Sequence, residues 1–179
     1  MKALKTLFCG KTWRGSLVRI LSLLTICTVP FWYHYRILYV DGISMTPTYD
    51  DGQWTLMQRI RSFDQGWVPD RFDAIVVWDK NRKVKLCKRV IGLPGEKIEV
   101  IEGRIFIDDK LLSDSFGKGY MVVEHLIDPD TKETWWKKYE NTPSTIIAPN
   151  HVWVVGDNRE DSVFGHFPIK EICGKIVLY

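Results

Sequence analysis

Ser44 stands in Gly42-Ile43-Ser44-Met45-Thr46-Pro47-Thr48, just beyond an apolar segment near the N-terminus. A serine hydroxyl is a weak nucleophile at neutral pH and needs an adjacent base. Histidine is the usual one. His34, His125, His151 and His166 are all available, but none sits in a distinctive motif. A lysine can do the same work where burial disfavours its charged form. Lys88, in Val84-Lys85-Leu86-Cys87-Lys88-Arg89-Val90-Ile91, shares strand parity with Leu86 and Val90 and is expected to face an apolar side, with Lys85 and Arg89 facing the other way. The competing reading is an edge-strand lysine that snorkels to water. A third motif, Gly156-Asp157-Asn158-Arg159, either ends a strand in a turn or packs beside such a site.

Short strands must position these residues. From residue 37 onward, runs rich in β-branched and aromatic residues alternate with Gly, Pro, Asp and Asn. The expected strands are Ile37–Val40, Trp54–Arg59, Ala74–Asp79, Lys83–Ile91, Lys97–Ile101, Arg104–Ile107, Thr145–Ile147, His151–Val155 and Lys175–Leu178. A hairpin is expected to turn near Glu102-Gly103. The fold class is mainly β, an antiparallel barrel-like domain. Residues 113–143 break the pattern. This polar stretch carries Gly117, Gly119, Asp128-Pro129-Asp130 and Trp135-Trp136, and reads as a flap or small insert.

The net charge of +3 over 179 residues is unevenly placed. Residues 1–40 hold six basic residues and no acid, so the remainder carries −3 and a nucleic-acid partner is disfavoured. The basic end precedes Leu17–Tyr33, which is close to the ~17–25 residues needed to cross a bilayer. Arg19 can snorkel, and Trp32, Tyr33 and Tyr35 form an aromatic belt. Lys2, Lys5, Lys11 and Arg14 precede the span and place that end in the cytoplasm. The alternative is a cleaved secretory signal, but bulky Phe31-Trp32-Tyr33-His34-Tyr35 stands where a small-residue cleavage site belongs. The expected organisation is a basic N-terminus at 1–16, a transmembrane anchor at 17–36 and an extracytoplasmic domain at 37–179. Cys87 and Cys173 are either a disulfide or two buried thiols. No metal-ligand spacing is present, so neither metal nor cofactor is expected.

Taken in order behind one N-terminal span, the Ser44 motif, Lys88-Arg89-Val90-Ile91-Gly92-Leu93-Pro94-Gly95 and Gly156-Asp157-Asn158-Arg159 resemble type I signal peptidases, the membrane-anchored Ser/Lys endopeptidases that remove signal peptides from exported preproteins. The resemblance spans about residues 17–179. It implies that Ser44 is the nucleophile, that Lys88 is the general base and that the Ser44 backbone N–H is an oxyanion donor. It implies that Ser162 orients the lysine. Gly42 stands where some members carry a serine donor, and the arginine that commonly follows the second Asp-Ser is absent, Val163 standing in its place. Asp73 matches a Gly-Asp strand entry, with Phe72 in place of the glycine. Substrate would add as a strand beside the segment leading to Lys88, with Ile43 and Leu86 lining small pockets. The partners implied are signal-peptide-bearing preproteins and the lipid bilayer. A non-catalytic, membrane-anchored assembly factor is the alternative. An intramolecular Ser/Lys autoprotease fits poorly, because no Ala-Gly cleavage site occurs.

Overall fold

The computed structural model describes residues 13–60, 66–127 and 134–178. The expectations for Lys2, Lys5, Lys11 and Asp128-Pro129-Asp130, and for the side chains of Trp135 and Trp136, lie outside the described residues. The chain separates into two compact units, divided between Arg36 and Ile37.

The first unit is dominated by helix α1 (Trp13–His34), within which Gly15–His34 is long and apolar enough to cross a membrane. Its hydroxyls do not compete with the helix. Ser22, Thr25 and Thr28 each donate to the carbonyl four residues back, Val18, Leu21 and Leu24, at 2.8 Å. An apolar medium demands this internal satisfaction.

The second unit is built from antiparallel sheets. Strand β1 (Tyr35–Tyr39) crosses the division. It is followed by β2 (Trp54–Arg59), β3 (Ala74–Asp79), β4 (Val84–Gly92), β5 (Lys97–Ile101), β6 (Arg104–Ile107) and β7 (Lys110–Leu111). After these come β8 (Val122–Ile127), β9 (Thr134–Tyr139), β10 (Thr142–Ile146), β11 (His151–Val155), β12 (Gly165–Pro168) and β13 (Ile172–Ile176). Seven strands form one sheet in the order β1-β2-β13-β3-β4-β11-β12, four form another in the order β10-β5-β6-β7, and β8 pairs with β9.

The expected barrel does not close. Among the described residues the large sheet ends at β1 on one side and β12 on the other. The chain leaves it at Leu93-Pro94-Gly95-Glu96, where Pro94 has no N–H for a ladder and Gly95 takes φ 86°. Glu96 locks the turn by accepting the Leu93 N–H at 2.8 Å and pairing with Arg71. The next strand therefore starts a separate sheet. Ile91, Ile98, Val100, Ile105, Ile147 and Trp153 are buried together in one core cluster with residues of both sheets.

The last strand also differs from expectation. It runs Ile172–Ile176, not Lys175–Leu178. Gly174 reads as punctuation in the sequence. In the fold it is a point of close approach, since a Cβ there would overlap the Gln58 carbonyl and the Met57 side chain. The 101–104 hairpin matches its expectation: Glu102 and Gly103 take φ 49° and 74°, as a tight primed turn requires. Residues 113–143 contain the β8–β9 hairpin, a feature that polar composition concealed.

Candidate active site

Ser44 lies in a tight turn after β1. Its carbonyl accepts the Asn158 N–H at 3.1 Å, and the neighbouring Ile43 carbonyl accepts the Thr46 N–H at 3.1 Å. Gly42 begins the turn at φ 98°, where glycine alone is unstrained, and donates its N–H to Asp51 at 2.7 Å. The Ser44 N–H makes no hydrogen bond within the described residues.

Lys88 sits in β4 opposite Ile75 of β3, with only 3% of its surface exposed. Its Nζ lies 2.6 Å from Ser44 Oγ. Burial is the main force on this amine and pulls its pKa down to about 8; the nearby Asp157 and Asp161 carboxylates oppose the fall. At pH 7 about a tenth of the amine is therefore free base, against less than about a thousandth for an unburied lysine. The pair has the geometry and protonation needed for a hydroxyl nucleophile and an amine base.

Arg89, expected on the side opposite Lys88, is fully buried. It forks onto Asp157, with Nε 2.8 Å from Oδ1 and an Nη on the second oxygen, while its Nη1 donates to the Phe72 carbonyl at 2.8 Å. Its guanidinium lies 3.8 Å from the centroid of the Phe116 ring. Asp157 is therefore the buried counter-ion of the residue next to Lys88, with 0% exposure. Phe72 adopts φ 70°, the left-handed region open to a glycine, and so presents its carbonyl to Arg89. Asp73 accepts the Asp70 N–H at 3.1 Å and pairs with Lys175 at 2.6 Å, a structural set of contacts.

The beginning of the 113–143 stretch is tied to the same place. Asp114 pairs with Arg159 at 2.9 Å, and the Lys118 N–H donates to the Asp157 carbonyl at 2.8 Å. Sequence reading gave no role to Arg89, Asp114, Phe116 or Arg159; Arg89 and Arg159 stood in the quoted motifs, Asp114 and Phe116 in none of them.

Ser162 is close but differently engaged. Its hydroxyl accepts the Gly156 N–H at 2.7 Å and donates to the Val163 carbonyl at 3.0 Å; Lys88 is not among its partners. A Cβ on Gly156 would overlap both the Ser44 carbonyl and Ser162 Oγ, so this glycine lets the two segments meet. Asp161 makes no ion pair among the described residues, in keeping with the missing arginine at 163.

A cavity of about 200 Å³ opens beside the pair, with Leu38, Val40, Met45, Val76, Leu86 and Ile176 among its walls. Leu86 lines it as expected. Ile43 does not: its side chain is 49% exposed, because the turn aims only its carbonyl inward. Cys87 also lines the cavity, and burial pushes its thiol up to about 12. Cys87 and Cys173 are free thiols. The whole of β3 separates their strands, about two strand spacings, which exceeds disulfide reach. No cluster of three or more metal-ligating side chains occurs among the described residues.

A family model described as signal peptidase, peptidase S26, matches residues 13–179. Signal peptidase I of Bacillus caldolyticus is 33% identical over 141 residues, covering 76% of this chain and 74% of that protein. Signal peptidase I U of Bacillus subtilis is 29% identical over 162 residues, covering 89% and 81%. Signal peptidase I of Streptococcus pneumoniae is 32% identical over 138 residues, covering 76% of this chain and 62% of that protein. A crystal structure of a signal peptidase I from Enterococcus faecalis aligns with TM-score 0.42 and 24% identity over 62% of this chain and 98% of that one.

Proposed function

The chain belongs to the signal peptidase family, peptidase S26, and from that premise we propose that it is a serine endopeptidase that removes signal peptides from exported preproteins. The observation that carries the proposal is the buried contact of 2.6 Å between Lys88 Nζ and Ser44 Oγ. In this reading neutral Lys88 takes the Ser44 proton as Oγ attacks the scissile carbonyl. The developing oxyanion is held by the Ser44 N–H, with no side-chain donor from Gly42. The new N-terminus leaves as an amine, protonated from Lys88. Water then hydrolyses the acyl-enzyme with Lys88 acting again as base. Asp157 holds Arg89, and through it the backbone on either side of Lys88. Ser162 supports the Ser44 turn by way of Gly156, a positioning role distinct from direct orientation of the lysine.

The open edge of β4 supports strand addition by the substrate. Strand β11 pairs with β4 at Arg89, Val90 and Gly92, whereas among the described residues Val84–Lys88 pair with β3 on one side only. Residues 85–88 of that unpaired stretch line the cavity. A peptide laid along them would place small side chains toward Leu86 and Met45 and its carbonyl at Ser44. The same reading makes α1 a membrane anchor, residues 1–16 cytoplasmic, and the unit from Ile37 an outer-face catalytic domain with 113–143 as an insert beside its site.

The test is mass spectrometry of a model preprotein incubated with the full-length protein in detergent. The wild type is expected to release one mature N-terminus. Ser44→Ala and Lys88→Met are expected to lower the rate by at least about a thousandfold, in line with losses on removing a nucleophile or its base. Wild-type rates in either folded variant would sink the assignment.

A further inference from the structure

Besides Lys88, two charged residues line the cavity beside Ser44, from separate segments. Lys85 comes from β4, three residues before Lys88; Asp41 comes from the segment entering the Ser44 turn, three residues before the serine. Both are exposed, and neither makes a hydrogen bond or ion pair with any described residue. The neighbouring charges are engaged: Arg82 with Asp79 at 3.4 Å, Lys80 with Glu171 at 2.6 Å and Lys175 with Asp73 at 2.6 Å. Thr55, also on the wall, gives its hydroxyl to the Leu178 carbonyl at 2.6 Å. Lys85 and Asp41 are thus free to meet a third charge, and a strand added to the open edge of β4 is what would bring one.

Strand geometry fixes where. Three residues of extended chain span about 10 Å. For a substrate strand running parallel to β4 with its attacked carbonyl at Lys88, the residue alongside Lys85 lies three residues before the one whose carbonyl is attacked, which is the fourth residue before the cleaved bond. Lys83 stands two residues before Lys85 in the chain and adds to the positive charge near it.

Resting on the peptidase reading above, we infer that Lys85 is a specificity-determining residue. It favours preproteins with an acidic side chain at the fourth position before the cleaved bond and disfavours basic ones there. Asp41 opposes this preference and limits it. No bond changes are involved; the effect is Coulombic, between solvent-reached groups, and so amounts to about two- to fivefold per charge swap at low ionic strength.

The experiment uses the full-length protein in a neutral detergent and preprotein peptides that differ only in Asp, Asn or Lys at the third, fourth or fifth position before the bond. The ratio of kcat/KM for Asp over Lys is expected to exceed one in the wild type and to peak at the fourth position. It should fall below one in Lys85→Glu, rise in Asp41→Asn, and approach one at 0.5 M salt. An unchanged ratio in Lys85→Glu at all three positions overturns the inference. Binding of the same peptides to Ser44→Ala protein, read by fluorescence anisotropy, gives the ratio without turnover. If the wild type cuts nothing and yet the affinity ratio inverts in Ser44→Ala/Lys85→Glu, the selectivity stands and the peptidase reading fails. If cleavage depends on Ser44 while the ratios do not move, the reverse holds.

Discussion

Lys88 is where chemistry and stability meet. Its pKa of about 8 lies below the 10.5 of an unburied lysine, so the unfolded chain binds its proton more tightly than the folded one. Between these values stability rises with pH, and below about pH 8 folding bears the full cost of discharging or burying the ammonium, about 3 kcal/mol from that difference. Lys88→Met should therefore raise the melting temperature at pH 7 while abolishing cleavage, and the gain should vanish above about pH 10.5. Calorimetry at both pH values checks it; a variant less stable than wild type at pH 7 would contradict the burial argument. The same protonation governs rate. In the wild type kcat/KM should climb through an inflection near pH 8, because only the neutral amine accepts the Ser44 proton. A pH profile flat from 6 to 9 would speak against Lys88 as base.

At the level of elements, the site is a junction of the Ser44 turn, β4 and the segment that follows β11. Its fastening is the Arg89–Asp157 pair, desolvated on both sides. Removing one member of such a pair leaves the other charged and alone, at about 3–5 kcal/mol. Asp157→Ala should lower stability by that order, and Asp157→Ala/Arg89→Met should recover much of it, as denaturant unfolding can measure. Recovery without renewed activity would locate the pair's importance in the placement of Lys88. Gly156→Ala is a sharper probe of placement, since its methyl group must displace the Ser44 carbonyl; cleavage should fall by at least about tenfold in a protein that still folds. Much of this junction was legible from sequence. The three motifs carried Ser44, Lys88 and Asp157, and the strand alternation gave β2, β3, β5, β6 and β11 to the residue. What was not legible depended on tertiary pairing. Strand parity set Arg89 on the face opposite Lys88, but nothing in the sequence showed that this face is buried there against the carboxylate of Asp157. Gly165 and Pro168 hid β12, which exists because β11 offers it a ladder. The polar composition of 113–143 concealed both a hairpin and the Asp114 contact that ties its start to Arg159.

Taken whole, the chain couples an apolar helix to a β unit carrying −3 over residues 41–179. Ile37 and Tyr39, close in sequence to the helix, and Trp54 on β2 are exposed apolar or aromatic residues, and Trp54 is 66% exposed. If α1 is the anchor, the full chain should float with liposomes in a density gradient, and a chain beginning at Tyr35 should lose most of that attachment while still cutting a soluble peptide. Equal flotation of the two forms would remove α1 from that role.

The unpaired edge of β4 has one further consequence. A strand edge open to a peptide is equally open to the same edge of a second molecule. Arg82, Lys83 and Lys85 stand along the approach to that edge. Two copies meeting there would bring like charges face to face, which strands tolerate poorly. The lysines that would greet an acidic substrate thereby keep the protein from taking itself for one.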